Sequence, residues 1–201
     1  MKPSLRLLLA GLAALLFGCE TRDPFLKPPP PQEPRLVLPA ATAVGANTLG
    51  FELDGRAWVN YGRRCFLFGG GGCSDNLVQV QSRAFRGGRS VIVSANLFTP
   101  QRDEHFSLSI DTLRGPGTYP AGPPFVFLPP GTAGTGVNGI RLTDVRSNRA
   151  YVSRANATRI VLTRVDTVRR IVSGTFDGQL EDGLNPGTFA TIRNGRFDVT
   201  Y

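Results

Sequence analysis

His105 is the only histidine among 201 residues, so an imidazole triad or a histidine-rich metal site has a single candidate. It follows Asp103 and Glu104 and falls on the polar side of an alternating pattern, which reads as a surface histidine. Ser74-Asp75-Asn76 is one element of a serine-acylation site whose second element is Ser-x-x-Lys. The lysines are Lys2 and Lys27 alone, both far upstream, so the second element is missing. Gly69 to Gly72 lack the Gly-Lys-Ser/Thr that completes a phosphate loop. Arg86-Gly87-Gly88-Arg89 occurs once and reads as a turn. A pair of carboxylates can hydrolyse a glycoside, but no spacing singles out two of the 15 acids. The residues therefore point to a non-enzymatic protein with no catalytic residues, no metal and no cofactor.

The cysteines carry more. Lys2 and Arg6 precede an apolar run from Leu7 to Phe17, closed by Gly18 and Cys19. That is the layout of an export signal: a charged start, a short apolar stretch and a small residue at the cut. The run is shorter than the roughly 20 apolar residues of a membrane span, and Glu20, Arg22 and Asp23 follow at once. Leu16-Phe17-Gly18-Cys19 resembles the bacterial lipobox, in which the Cys thiol receives a diacylglycerol before cleavage. The expectation is a signal peptide over 1–18 and a lipidated Cys19, with enough acyl chains, palmitate among them, for lasting attachment. Glu20 is not the usual inner-membrane retention residue, which favours the outer membrane.

With Cys19 acylated, Cys65 and Cys73 remain as an even pair in an oxidising compartment. The glycine run between them lets the chain turn back, so a disulfide is expected. Losing residues 1–18 removes Lys2 and Arg6 and no acid, taking the formal charge from +8 to +6. The arginines are scattered along the chain, which reads as a solvated basic surface. An exported protein is not expected to meet nucleic acid. The partner expected is the membrane, through the lipid, and the domain is expected to be a monomer.

Those residues need elements to hold them. Residues 19–45 are rich in proline and form a tether, extended at about 3.1 Å per residue where it is polyproline II. The domain over 46–201 shows strand patterns and tight turns, with no sustained helical period. Asp54-Gly55 predicts a hairpin that sets Leu53 against Arg56 and Phe51 against Trp58. A second hairpin turning at Gly87-Gly88 sets Val80 opposite Ala95 and Ala84 opposite Val91, with one apolar face. Phe106, Leu108 and Ile110 alternate with His105, Ser107 and Ser109. Arg159 to Phe176 reads as two strands turning at Asp166-Thr167, and Asn194-Gly195 as a further two-residue turn setting Ile192 against Phe197. The stretch Arg114 to Gly136, with Tyr119, Phe125 and Phe127, is the first candidate for a binding face. The fold expected is an all-β antiparallel sandwich of about eight to ten strands, with a lipocalin-like closed barrel as the alternative.

Taken in order, Asn47-Thr48-Leu49-Gly50, Asp54-Gly55-Arg56-Ala57-Trp58, Gly117-Thr118-Tyr119, Ser173-Gly174-Thr175-Phe176 and Gly195-Arg196-Phe197-Asp198-Val199 resemble a family of small Bacteroidetes lipoproteins of uncharacterised function. The resemblance runs from Ala46 to Tyr201 and includes the lipid-anchor layout ahead of it. It implies no activity and carries over no site residue. Cys65 and Cys73 depart from the family's pattern. The function expected is a lipid-anchored outer-membrane binding or structural module, with a carrier of a lipophilic small molecule as the alternative.

Overall fold

Asp54 and Gly55 both take positive φ, 49° and 79°, and close β1 (Thr48–Leu53) onto β2 (Arg56–Val59). The register is the expected one, Leu53 on Arg56 and Phe51 on Trp58. The structure is a computed structural model describing residues 31–65, 72–122 and 137–201. The signal region, Cys19, Gly69 to Gly71, Phe125 and Phe127 lie outside the described residues.

The remaining strands are β3 (Arg63–Cys65), β4 (Cys73–Asp75), β5 (Gln79–Phe85), β6 (Gly88–Phe98), β7 (Asp103–Ile110), β8 (Gly117–Pro120), β9 (Gly139–Asp144), β10 (Arg149–Asp166), β11 (Ile171–Asp182) and β12 (Phe189–Thr200). Ten form one antiparallel sheet in the order β2-β1-β12-β11-β10-β9-β7-β6-β5, with β8 also on β10; β3 and β4 form a separate hairpin. The chain is thus all-β, as expected. The sheet curls until the chain just past its first strand reaches β6, the strand before its last. Tyr61, just past β2, bridges Leu97 of β6, its N–H donating to the Asn96 carbonyl at 3.1 Å and its carbonyl accepting from Phe98 N–H at 2.9 Å.

Strand alternation puts one face of this curl inside. Phe106, Leu108 and Ile110 are fully buried while His105 is exposed. Phe51 stacks on Trp58 at 4.8 Å between ring centroids and meets Phe106 at 4.7 Å; Phe106 meets Phe176 at 5.4 Å, and Phe176 meets Phe197 at 6.3 Å. Phe51 and Phe106 stand on strands far apart in sheet order, so their contact spans the interior. Each such ring contributes about 1.5–3 kcal/mol by burial, and well-placed pairs about 1 kcal/mol more.

Two expected turns are placed differently. The β5–β6 turn is at Arg86-Gly87, with Gly87 at φ 104° and Phe85 opposite Gly88, so Val80 faces Val93 and Ala84 faces Arg89. A shift of two residues keeps every side chain on its face, so alternation alone does not choose between the registers. Asn194-Gly195 is not a turn. β12 runs straight through it, with a bulge against both neighbours where Asn194 takes φ 52°. Gly195 is needed there because a Cβ would stand 2.4 Å from the Phe176 carbonyl oxygen. The β10–β11 turn follows Asp166 as expected, over Thr167 to Arg170.

The compact unit begins at Glu33, ahead of the Gly45–Ala46 boundary drawn from composition. Residues 33–46 are a strap on the β domain. The Glu33 carboxylate accepts from the Thr99 hydroxyl at 3.2 Å, Leu36 packs on the core, Pro39 lies against Gly50, and Arg164 donates to the Ala43 carbonyl. The strap therefore runs from the end of the curl that carries Thr99 to the end that carries Thr200.

Candidate functional site

Cys65 and Cys73 sit opposite one another on β3 and β4 and form the expected disulfide. The hairpin they close is braced at its base by Asn76, whose side-chain amide donates to the Tyr61 carbonyl at 2.7 Å. Asp75 reaches Arg63 at 3.4 Å on an exposed surface, so Ser74-Asp75-Asn76 is the end of strand β4 and the base of this hairpin. His105 stands on the outer face with Nδ1 at 2.8 Å from Asn96 Oδ1. Among the described residues, no three His, Cys, Asp or Glu converge as metal ligands.

One recess among the described residues uses part of the stretch expected to bind. A cavity of about 370 Å³ is lined by Thr112, Arg114, Tyr119, Asn138 and the backbone between Gly115 and Pro120. Its wall is held by one phenol. Tyr119 is buried, and its hydroxyl accepts from the Arg114 and Gly115 amides at 3.0 and 3.1 Å while donating to the Gly115 carbonyl at 2.7 Å. This is the physics of a tyrosine corner, a ring in the core whose hydroxyl fastens the chain a few residues upstream. Asn138 ties the other wall, donating to the Pro120 carbonyl at 3.2 Å and accepting from the Asp111 amide at 3.1 Å. Ser153 donates to the Gly122 carbonyl and accepts from the Ile140 amide at 3.0 Å. The recess thus offers a guanidinium, a hydroxyl and backbone groups on a rigid frame. That set suits a polar or anionic ligand.

Tyr119→Phe keeps the ring and removes the fastener. It is expected to cost about 1–2 kcal/mol and to speed hydrogen exchange at the Arg114 and Gly115 amides. Unchanged exchange at both would show that the hydroxyl does not hold this wall.

Of the four buried carboxylates among the described residues, Glu104, Asp111, Asp182 and Asp198, two hold distant segments together and escaped the sequence reading. Glu104 accepts from Trp58 Nε1 at 2.8 Å and from Arg102 at 2.8 and 3.0 Å, with Arg102 also reaching the Ala57 carbonyl at 3.3 Å. Its parity was a signal: Glu104 is two residues before Phe106 and so shares the inward face. Asp198 is 1% exposed and faces the strap. It accepts from Ser173 at 2.6 Å, Thr42 at 2.7 Å and the amides of Val44, Gly45 and Ala46 at 2.9, 2.8 and 3.1 Å. Burial pushes its carboxyl up, but the Ser173 and Thr42 hydroxyls and the Val44 and Ala46 amides outweigh that and hold it well below the usual range. No local pattern marks it, because its partners lie more than 150 residues away along the chain for the strap contacts.

No protein-family model matches this chain, and neither a curated protein nor a solved structure matches it.

Proposed function

We propose that this protein is an exported lipoprotein, acylated at Cys19 and attached to the outer membrane, whose β domain is a non-enzymatic binding module. The observation that supports export is the Cys65–Cys73 disulfide, since such bonds persist in oxidising compartments and are rare in the cytosol. The Leu16-Phe17-Gly18-Cys19 motif supplies the attachment point. Filling of the interior by Trp58, Phe51, Phe106 and Phe176 favours a module that binds on its outside. A carrier of a lipophilic molecule needs that space open.

Cys19→Ala tests the anchor. The unaltered protein is expected in the membrane fraction and to take up labelled palmitate in cells. The variant is expected to lose the label and to leave the membrane fraction. Retention of the variant in the membrane would refute acylation at Cys19.

A further inference from the structure

Arginines that are scattered in sequence are gathered by the topology at one end of the curled sheet. Arg86 lies on the β5–β6 turn and Arg89 at the start of β6, Arg114 on the loop after β7, and Arg169 and Arg170 on the β10–β11 turn. Direct contacts join these loops. Leu113 N–H donates to the Arg89 carbonyl at 2.7 Å, Tyr201 N–H donates to the Arg170 carbonyl at 2.8 Å, and the Arg89 guanidinium lies 5.6 Å from the Tyr201 ring centroid. The acids at this end are withdrawn. Asp111 is 4% exposed, and Asp166 is bound by Arg164 at 2.8 Å and by the Val168 and Arg169 amides. Among the described residues none of the five arginines has a carboxylate within ion-pair distance.

At the opposite end acids and arginines are mixed, with Arg35, Arg56 and Arg146 among them. Glu33, Asp54, Asp103, Asp144 and Glu181 lie on or beside its turns. Its buried arginine, Arg102, is consumed by Glu104 at 2.8 Å, and Arg149 faces Asp182 at 3.8 Å. The strap begins there, at Glu33 on Thr99. The arginine cluster therefore stands at the end remote from where the strap begins.

From this clustering we infer that the basic end, with the Arg114 recess, is a docking surface for an anionic polysaccharide. Guanidinium forks match carboxylate, sulfate and phosphate oxygens two at a time. Arg89 is already ordered by the Tyr201 ring and by its bond to the Ser82 hydroxyl at 3.0 Å, so less freedom is lost on binding. The recess beside Arg114, about 370 Å³, is at the small end of ligand pockets, and the Thr112 hydroxyl oxygen and the backbone from Gly115 to Pro120 supply polar groups for a sugar ring. An anionic bilayer is the poorer fit. Among the described residues the large apolar side chains exposed at this end are two valines, Val44 and Val168, and interfacial binding needs buried apolar area besides charge. The inference rests on the proposed export for the source of the polymer, not for the geometry of the site.

Binding of the full chain in neutral detergent is to be measured on heparin, polygalacturonate and uncharged dextran at rising salt. Retention is expected on the two polyanions at about 0.15 M salt, weakening steeply above it, with none on dextran. The triple variant Arg86→Gln/Arg114→Gln/Arg169→Gln should bind about tenfold more weakly, with unchanged Trp58 fluorescence. The triple variant Arg56→Gln/Arg154→Gln/Arg193→Gln, equal in charge but away from this end, should stay within about twofold of the parent. Equal losses in the two triples, no retention on either polyanion, or tighter binding of the Cys19→Ala chain to phosphatidylglycerol vesicles than to heparin would each overturn the assignment. The fractionation of Cys19→Ala reports on the anchor independently of these outcomes.

Discussion

Glu104→Ala is expected to lower the midpoint of thermal unfolding by about 10 °C, the largest effect of any single substitution outside the aromatic core. The carboxylate is 7% exposed and has three donors on it, from Trp58 and from both arms of the Arg102 fork. Its removal leaves a guanidinium that is itself about 10% exposed without a counter-charge, and an indole N–H without an acceptor. Breaking a buried pair from one side costs about 3–5 kcal/mol, because the remaining charge stays desolvated. In a domain of this size each kcal/mol moves the midpoint by about 2–4 °C. Trp58 is the only tryptophan, so its emission reports the loss of the Nε1 bond directly. Glu104→Gln keeps one acceptor and the shape, and should fall between the parent and the alanine variant. A midpoint shift under about 3 °C for Glu104→Ala, with unchanged emission, would mean that the network does not hold β2 on β7.

Asp198→Ala is expected to cost about 3 kcal/mol at neutral pH, measured by denaturant unfolding. The carboxylate is the shared acceptor for three successive strap amides and two hydroxyls. Without it those donors lose their partner, and the strap is released from β12. Asp198→Asn is nearly as damaging, because its amide group would place donors against donors. The pH dependence has a fixed sign. Burial raises the folded carboxyl, the hydrogen bonds from Ser173, Thr42 and the strap lower it further, and the net value is below that of the unfolded chain. Its contribution is therefore complete above about pH 4, where the unfolded carboxyl is ionised. It is lost as pH falls through the folded value. The gap between parent and Asp198→Asn should narrow from pH 7 to pH 3. A gap that stays constant would mean that the charge is not what the strap recognises. Asp182, lowered by the Asn185 side chain and the Leu184 amide, and Asp166, lowered by the Arg169 amide and Arg164, leave both proteins some acid sensitivity of the same sign.

The two carboxylates show how far a linear reading reaches. The β1–β2 hairpin was legible to the residue, because Asp54-Gly55 suits a turn with two positive φ values and both sides alternate cleanly. The β5–β6 faces were legible but their register was not, since a two-residue slip changes no face. Asn194-Gly195 misled because a left-handed residue followed by glycine serves a bulge as well as a turn. Only the presence of β11 and β1 on either side of β12 decides which. Glu104 was readable from parity once a charge on an inward position is taken as a sign of a buried partner.

The sequence by itself determined the all-β class, the identity of the inward rings on β1, β2 and β7, and the pairing of Cys65 with Cys73. Each of these depends on short-range alternation, on a local turn or on a chain too short to reach elsewhere. Tertiary structure alone decided that the sheet curls back to meet itself at Tyr61 and Leu97, that residues 33–46 close over Asp198, and that five separated arginines share one end. Those features come from contacts between segments far apart in the chain. Alternation orders the faces within a strand, but the end at which each loop emerges depends on the whole strand order.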